Sequence, residues 1–255
     1  MATLVHYTVE GSVARLTLDS PDNRNALSTA LVNQLHQGLI DATEESGVRA
    51  VVLDHSGGTF CAGADLAEAA GRNPGDVAVD RARELTHLLR RILKLPVPVI
   101  AAVDGHVRAG GLGLIGACDI AVAGPASTFA LTEARIGVAP SIISLTLLPK
   151  MTARAASRYF LTGEKFGPAE AADIGLITIA ADDVVATVAS LTAAIGKASP
   201  QGLAASKALT TSAILAAFKR RADELTEESA RLFVSDEARE GMMAFLQKRP
   251  PSWAD

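Results

Sequence analysis

Rings are scarce in this chain: seven Phe, two Tyr and one Trp among 255 residues. Neither sign of charge dominates, with 24 Lys+Arg against 28 Asp+Glu and a net charge of −4. Without a basic stripe or a platform of stacking rings, a nucleic-acid partner is excluded. Cysteine is nearly absent, and Cys61 and Cys118 alone build neither a disulfide framework nor a metal cage. The five histidines show no metal-ligand spacing, so no metal is expected. The longest uncharged run, residues 136–149, falls short of the ~18 apolar residues of a spanning helix, and no membrane partner is expected. The start, Met1-Ala2-Thr3-Leu4, has neither a basic n-region nor an apolar h-region, so the expectation is a cytoplasmic protein without a secretory signal.

What the chain does have is aliphatic mass. Hydrophobic residues make up 49 % of it, which at low net charge excludes disorder and fills a sizeable core with Ala, Val, Leu and Ile. The length suits one large domain or a domain with an appendage. Val5, Tyr7 and Val9 alternate, residues 10–12 turn, and Val13, Leu16 and Leu18 alternate again, which predicts a hairpin. Ser28 is placed to cap a helix over 29–44, with Leu31, Leu35, Leu39 and Ile40 on one face. Residues 48–54 read as a short apolar strand. A helix over 80–94 puts Leu85, Leu88, Leu89 and Ile92 together and stops at the prolines of 95–98. Buried strands are predicted at 99–103 and 119–123 with a helix over 111–118 between them, and a further strand at 128–131. Such alternation implies right-handed crossovers and a mainly parallel sheet. From Val184 onward only helices are predicted, over 184–197, 202–211, 213–233 and 236–247.

Two glycine-bearing turns lie between a strand and a helix. One is FCAGADL at 60–66; the other spans 104–113 and contains Ala109-Gly110-Gly111. Small residues there let a ligand approach the backbone, and amides at a helix start favour negative charge. Two such turns aiming one amide each at the same oxygen make an oxyanion hole; ordinary tight turns are the competing reading.

These turns, followed by ACDIAVA at 117–123 and STFALTEARIGVAP at 127–140, resemble the crotonase (enoyl-CoA hydratase/isomerase) family. DNRNALS at 22–28, YFLTGEKFGPAEAADIGLI at 159–177 and EGMMAFLQKRPPSW at 240–253 fit in the same order, so the resemblance covers nearly the whole chain. It implies an α/β fold, a spiral of ββα units over 1–195, with a helical C-terminal trimerisation region over 196–255. It also implies an acyl-CoA thioester as substrate, no further cofactor, and a homotrimer or a dimer of trimers. The amides of Ala64 and Gly110 would then form the oxyanion hole. Ala26, Ala62, Asp65 and Leu66 match the segments that meet CoA or substrate, although Asp65 reads first as a turn-shaping or capping residue. Arg24, Lys248 and Arg249 fall where basic residues meet CoA phosphates, against the alternative of solvated surface charges.

The family's hydratases carry two glutamates around the reacting water. Glu133 stands at the second position, whereas the first reads Gly113. One carboxylate remains for general acid–base work, which favours proton shuttling or a one-glutamate hydration. The family's glycine-rich loop after Pro140 is here Ser141-Ile142-Ile143-Ser144, a bulkier wall, and Ala67 replaces a common lysine. Gly110 to Leu114 together with TEARIGVAPSIIS resembles the 3-methylglutaconyl-CoA and isohexenylglutaconyl-CoA hydratase branch. Its substrates carry a second carboxylate, for which Arg108 is a candidate partner as well as a candidate structural residue. The implied activity is enoyl-CoA hydration, with double-bond isomerisation or non-catalytic acyl-CoA binding as alternatives.

Three features lead elsewhere. Residues 111–116 match G-x-G-x-x-G, but no acidic residue ends the next strand as a dinucleotide fold requires. Cys61 has no histidine close in sequence and reads as a small buried residue, and His106 as structural. Asp119 is expected to be a buried, hydrogen-bonded carboxylate.

Overall fold

The alternation at the start builds β1 (Val5–Glu10) and β2 (Val13–Leu18), paired antiparallel around Gly11 at φ +60°. The structure, a computed structural model, describes residues 2–65, 68 and 74–254. Ser28 Oγ accepts from the Leu31 amide (3.2 Å) and caps α1 (Thr29–Glu44), whose Leu31, Leu35 and Leu39 are buried. Among the described residues, a strand–strand–helix unit then recurs. It runs β3 (Ala50–His55), β4 (Thr59–Cys61), α2 (Pro74–Lys94), and again β5 (Val99–Val103), β6 (His106–Arg108), α3 (Gly110–Ala117). The third copy is β7 (Ile120–Ala123), β8 (Thr128–Ala130) and a short 3-10 turn, Glu133–Ile136.

The first strand of each unit joins one sheet and the second joins another. The larger sheet is ordered β1-β2-β3-β5-β7, parallel from β2 onward, and ends on β9 (Ile179–Ala180). The smaller is the parallel trio β4-β6-β8. Successive side chains of β3, β5 and β7 are buried on both faces, which explains their apolar runs. Val51 and Leu53 enter the main core, while Val52, Ile100 and Val122 pack with Val188 of α7 (Val184–Ile195). Short helices α4 (Ser144–Leu147), α5 (Ala153–Thr162) and α6 (Pro168–Asp173) precede β9, and α8 (Pro200–Phe233) and α9 (Asp236–Leu246) complete the chain. This is the mixed α/β spiral that the resemblance implies. No helix among the described residues is long and apolar enough to cross a membrane.

Two expectations differ from the structure by more than two residues. α2 begins at Pro74, not near residue 80: proline suits a first helical position, and Val77 and Ala78 extend the buried face by a turn. The two helices expected over 202–211 and 213–233 are one, α8. Thr210, Thr211 and Ser212 look like a break, but their hydroxyls donate back to the carbonyls of Lys207 and Leu209, which keeps polar side chains inside a helix.

Candidate active site

Each strand of the small sheet runs into one piece of the site. β4 leads to Ala62-Gly63-Ala64, β6 to Ala109-Gly110, and β8 to Glu133. Parallel pairing sets Cys61 opposite Val107 and Val107 opposite Phe129, so residues distant in sequence emerge together at the carboxyl ends. That end of a parallel sheet is where ligands bind in open α/β folds.

The two turns touch. Gly63 has φ +91°, and a Cβ placed on it would stand 2.8 Å from Ala109 Cβ and 3.6 Å from the Gly110 nitrogen. Ala109 is held at φ 47° and ψ −120°, a conformation rare for an L side chain that costs about 1–3 kcal/mol. It sets Gly110 at the first position of α3. The loop before α1 lies alongside: the Leu27 amide donates to Gly63 O (2.7 Å) and the Ala62 amide to Arg24 O (3.1 Å). Asn25 fixes that loop. It is fully buried at φ 53°, accepts from the Ser20 amide (2.6 Å) and donates to the carbonyls of Ser56 (3.2 Å) and Thr59 (2.8 Å). Sequence reasoning passed over Asn25; its one local signal is that asparagine tolerates left-handed backbone.

A cavity of about 780 Å³ lies over these turns, and Ala62, Ala64, Gly110 and Glu133 are on its wall. Among the described residues, no acceptor takes the amides of Ala64 or Gly110. Glu133 is buried, and its Oε2 has no hydrogen-bond partner among them. Burial pushes its carboxyl up to about 7, against a smaller downward pull from its own backbone amide. A buried carboxyl pushed up to about 7 is suited to take up and return a proton near neutral pH.

Gly113, in α3, is sealed off. A Cβ there would collide with Cγ2 of Ile143 and stand 3.0 Å from its Cβ. Ile143 fills the space that a side chain at 113 would use. Ser141, Ile142 and Ile143 all line the cavity, and Ser141 Oγ is buried without a partner among the described residues.

Charge on the wall is mostly positive. Arg24, Arg81, Arg108, Arg135, Lys165 and Arg249 stand against Glu84 and Glu133. Most of these cations are engaged. Arg81 donates to Asp65 O (2.7 Å) and Glu68 (3.1 Å), and Arg135 to Thr162 O (2.8 Å). Arg249 forks onto Glu240 (2.6 and 2.8 Å). Arg108 is partly buried, which lowers its pKa, and it donates to Val107 O, Thr128 O and Thr128 Oγ1. Arg24 and Lys165 have no partner among the described residues.

The remaining candidates fall as follows. Ala26 is buried off the wall, and its carbonyl accepts from the Ser28 amide (2.8 Å). Asp65, also off it, accepts from Asn23 Nδ2 (3.0 Å). Lys248 is exposed at φ 54°, and its neighbour Arg249 is the one on the wall. Leu66 and Ala67 lie outside the described residues. His106 lines the cavity and is hydrogen-bonded to Thr128 (2.9 Å). Burial pushes the thiols of Cys61 and Cys118 up to about 12, which keeps them from acting as nucleophiles. The G-x-G-x-x-G of 111–116 sits inside α3 and forms no phosphate-cradling loop. Asp119 accepts from the Val99 amide (2.7 Å) and pairs with Lys207 (2.7 Å), a partner the sequence reading did not identify. Among the described residues, no group of three His, Cys, Asp or Glu is placed to hold a metal.

Known proteins share both pattern and shape. The sequence profile of the enoyl-CoA hydratase/isomerase family matches residues 8–255. A crystal structure of an enoyl-CoA hydratase from Mycobacterium avium superposes with a TM-score of 0.94 at 66 % identity, covering 100 % of both chains. A Bacillus subtilis protein named a probable enoyl-CoA hydratase is 31 % identical over 98 % of each chain. The mevalonyl-coenzyme A hydratase of Aspergillus fumigatus is 29 % identical over 99 % of this chain and 98 % of its own.

Proposed function

The chain belongs to the enoyl-CoA hydratase/isomerase family and is an enzyme of the crotonase type, and on that premise we propose that it adds water reversibly to a 2-enoyl-CoA thioester with one carboxylate. The observation that carries this reading is Glu133: a buried carboxyl with an uncommitted oxygen, on the same wall as the uncommitted amides of Ala64 and Gly110.

In the forward direction the thioester oxygen rests on the Ala64 and Gly110 amides. Glu133, as carboxylate, takes a proton from water while the water oxygen bonds to C3. The C2–C3 π pair moves into the enolate, whose charge the two amides hold; such a donor is worth about 2.7–4 kcal/mol in the transition state. Glu133 then returns the proton to C2, so H and OH have been added. Arg24 is assigned to the CoA phosphates; Arg249, on the same wall, is held by Glu240. A branched, dicarboxylic acyl group of the 3-methylglutaconyl kind is the proposed substrate class, with Arg108 facing its distal carboxylate. This rests on the motif resemblance and on a partly buried guanidinium on the cavity wall. The working form is proposed to be a trimer or a pair of trimers, consistent with the exposed Leu209, Phe245, Leu246 and Trp253.

Isomerisation is the second reading, favoured by Gly113, because a single base suffices to move a proton. A panel of enoyl-CoA esters that includes 3-methylglutaconyl-CoA tests the assignment. Hydration by the wild type and a loss of about a hundredfold or more in Glu133→Gln are expected; full activity in that variant rejects the role of Glu133.

A further inference from the structure

Two oxygens on one cavity wall are buried and uncommitted, and the reaction as written above uses only one of them. Glu133 Oε2 is the base. The other is Ser141 Oγ, on a residue only 7 % exposed. Buried hydroxyls are nearly always hydrogen-bonded, so an exception on a residue that lines a ligand cavity calls for a ligand atom.

The rest of Ser141 is fixed. Its amide donates to Ala139 O (2.8 Å) and its carbonyl accepts from Ser144 Oγ (2.6 Å). The next two hydroxyls along the chain are spent on carbonyls: Ser144 on that of Ser141, Thr146 on those of Gly113 (3.2 Å) and Ile143 (3.1 Å). The other buried, uncommitted side-chain oxygens among the described residues belong to Tyr7, Asn23 and Asp54, none of which lines the cavity. A water held in such a place needs at least two polar partners, and Gly113, blocked by Ile143, supplies none from its side.

We propose that Ser141 Oγ is the second holder of the reacting water, in place of the carboxylate absent at position 113. The proposal rests on the hydratase reading. The water donates one O–H to Glu133 Oε2 and the other to Ser141 Oγ, which leaves a lone pair free for C3. As the C3–O bond forms, the first proton passes to Glu133. The second stays on the oxygen as the product hydroxyl, still donating to Ser141. Glu133 then delivers its proton to C2, and the serine ends unchanged.

The test compares full-length wild type with Ser141→Ala in initial-rate hydration of the best enoyl-CoA of the panel. Thermal unfolding and calorimetric binding of saturated butyryl-CoA are measured alongside. The expected result is a fall in kcat of roughly ten- to a hundredfold, with KM and the butyryl-CoA Kd within threefold and an unchanged Tm. A kcat within twofold of wild type overturns the proposal. So does a loss that falls on KM and the butyryl-CoA Kd alike, because the serine would then be shaping the cavity. Failure of the wild type to hydrate any ester overturns the hydratase reading itself, a result distinct from either.

Discussion

The base proposed at Glu133 works where burial opposes its charge, and this conflict sets the pH behaviour expected of the site. Its carboxyl titrates near 7 in the folded chain against an ordinary 4.5. Hydration needs the carboxylate, so kcat/KM should fall tenfold per unit below pH 7 and level off above it. Glu133→Gln should show a flat residual profile. Stability runs the other way, because a raised pKa means that folding favours the protonated form. The contribution is complete below pH 4.5 and is lost as pH rises through 7, about 3 kcal/mol in all. Glu133→Gln should therefore unfold at a higher temperature than wild type at pH 8 and at the same temperature at pH 4. Gly113 gives a second prediction. Restoring a glutamate there drives its Cβ into Ile143, so Gly113→Glu should lose about 1–3 kcal/mol of stability and gain no rate. Pairing it with Ile143→Gly should recover the Tm. Glu133 was legible in the sequence because its place in a motif marks it. Asn25 and the hydroxyl of Ser141 were not, since burial and the want of a partner are properties of the folded chain.

Elements whose signals are local were legible to within a residue or two. The expected ends of α1 match, because Ser28 caps it and an apolar stripe runs its length. α8 was not, because the three hydroxyl residues that suggest a break satisfy themselves within the helix. Its anchor is tertiary. Lys207 reaches from α8 to the carbonyls of Ile92 (2.8 Å) and Val97 (3.0 Å) and to Asp119, fastening α8 to α2 and the start of β5. Burial lowers the Lys207 pKa while Asp119 raises it. Removing one partner leaves a buried charge alone, so Lys207→Ala should cost about 3–5 kcal/mol in denaturant unfolding. Adding Asp119→Asn should recover part of that loss. The small sheet β4-β6-β8 escaped sequence reading as a sheet: its three-residue strands are too short to show a period, and only their pairing brings the three parts of the site together.

Across the whole molecule, scarce rings and a net charge of −4 seemed to leave little for an anionic ligand to bind. The cavity wall resolves this by gathering six cations against two carboxylates, a local field that net charge does not report. Arg24, unpaired among the described residues and exposed, should be the phosphate contact. Arg24→Ala is predicted to raise KM for CoA esters by about three- to tenfold, and to leave KM for the matching pantetheine thioester, which has no such phosphates, unchanged. The ββα recurrence was partly legible as strand–helix alternation, but the allocation of alternate strands to two sheets was not, because nothing in a strand's own sequence names its neighbour. One carboxylate, Glu133, is proposed to add water to the enoyl group. The decisive measurement is turnover in water labelled with heavy oxygen, with the product read by mass spectrometry. One labelled oxygen at C3 is expected in the wild type, with labelled product formed at a rate lower by about a hundredfold or more in Glu133→Gln. A shifted double bond without label, or labelled product formed equally well without Glu133, would contradict it.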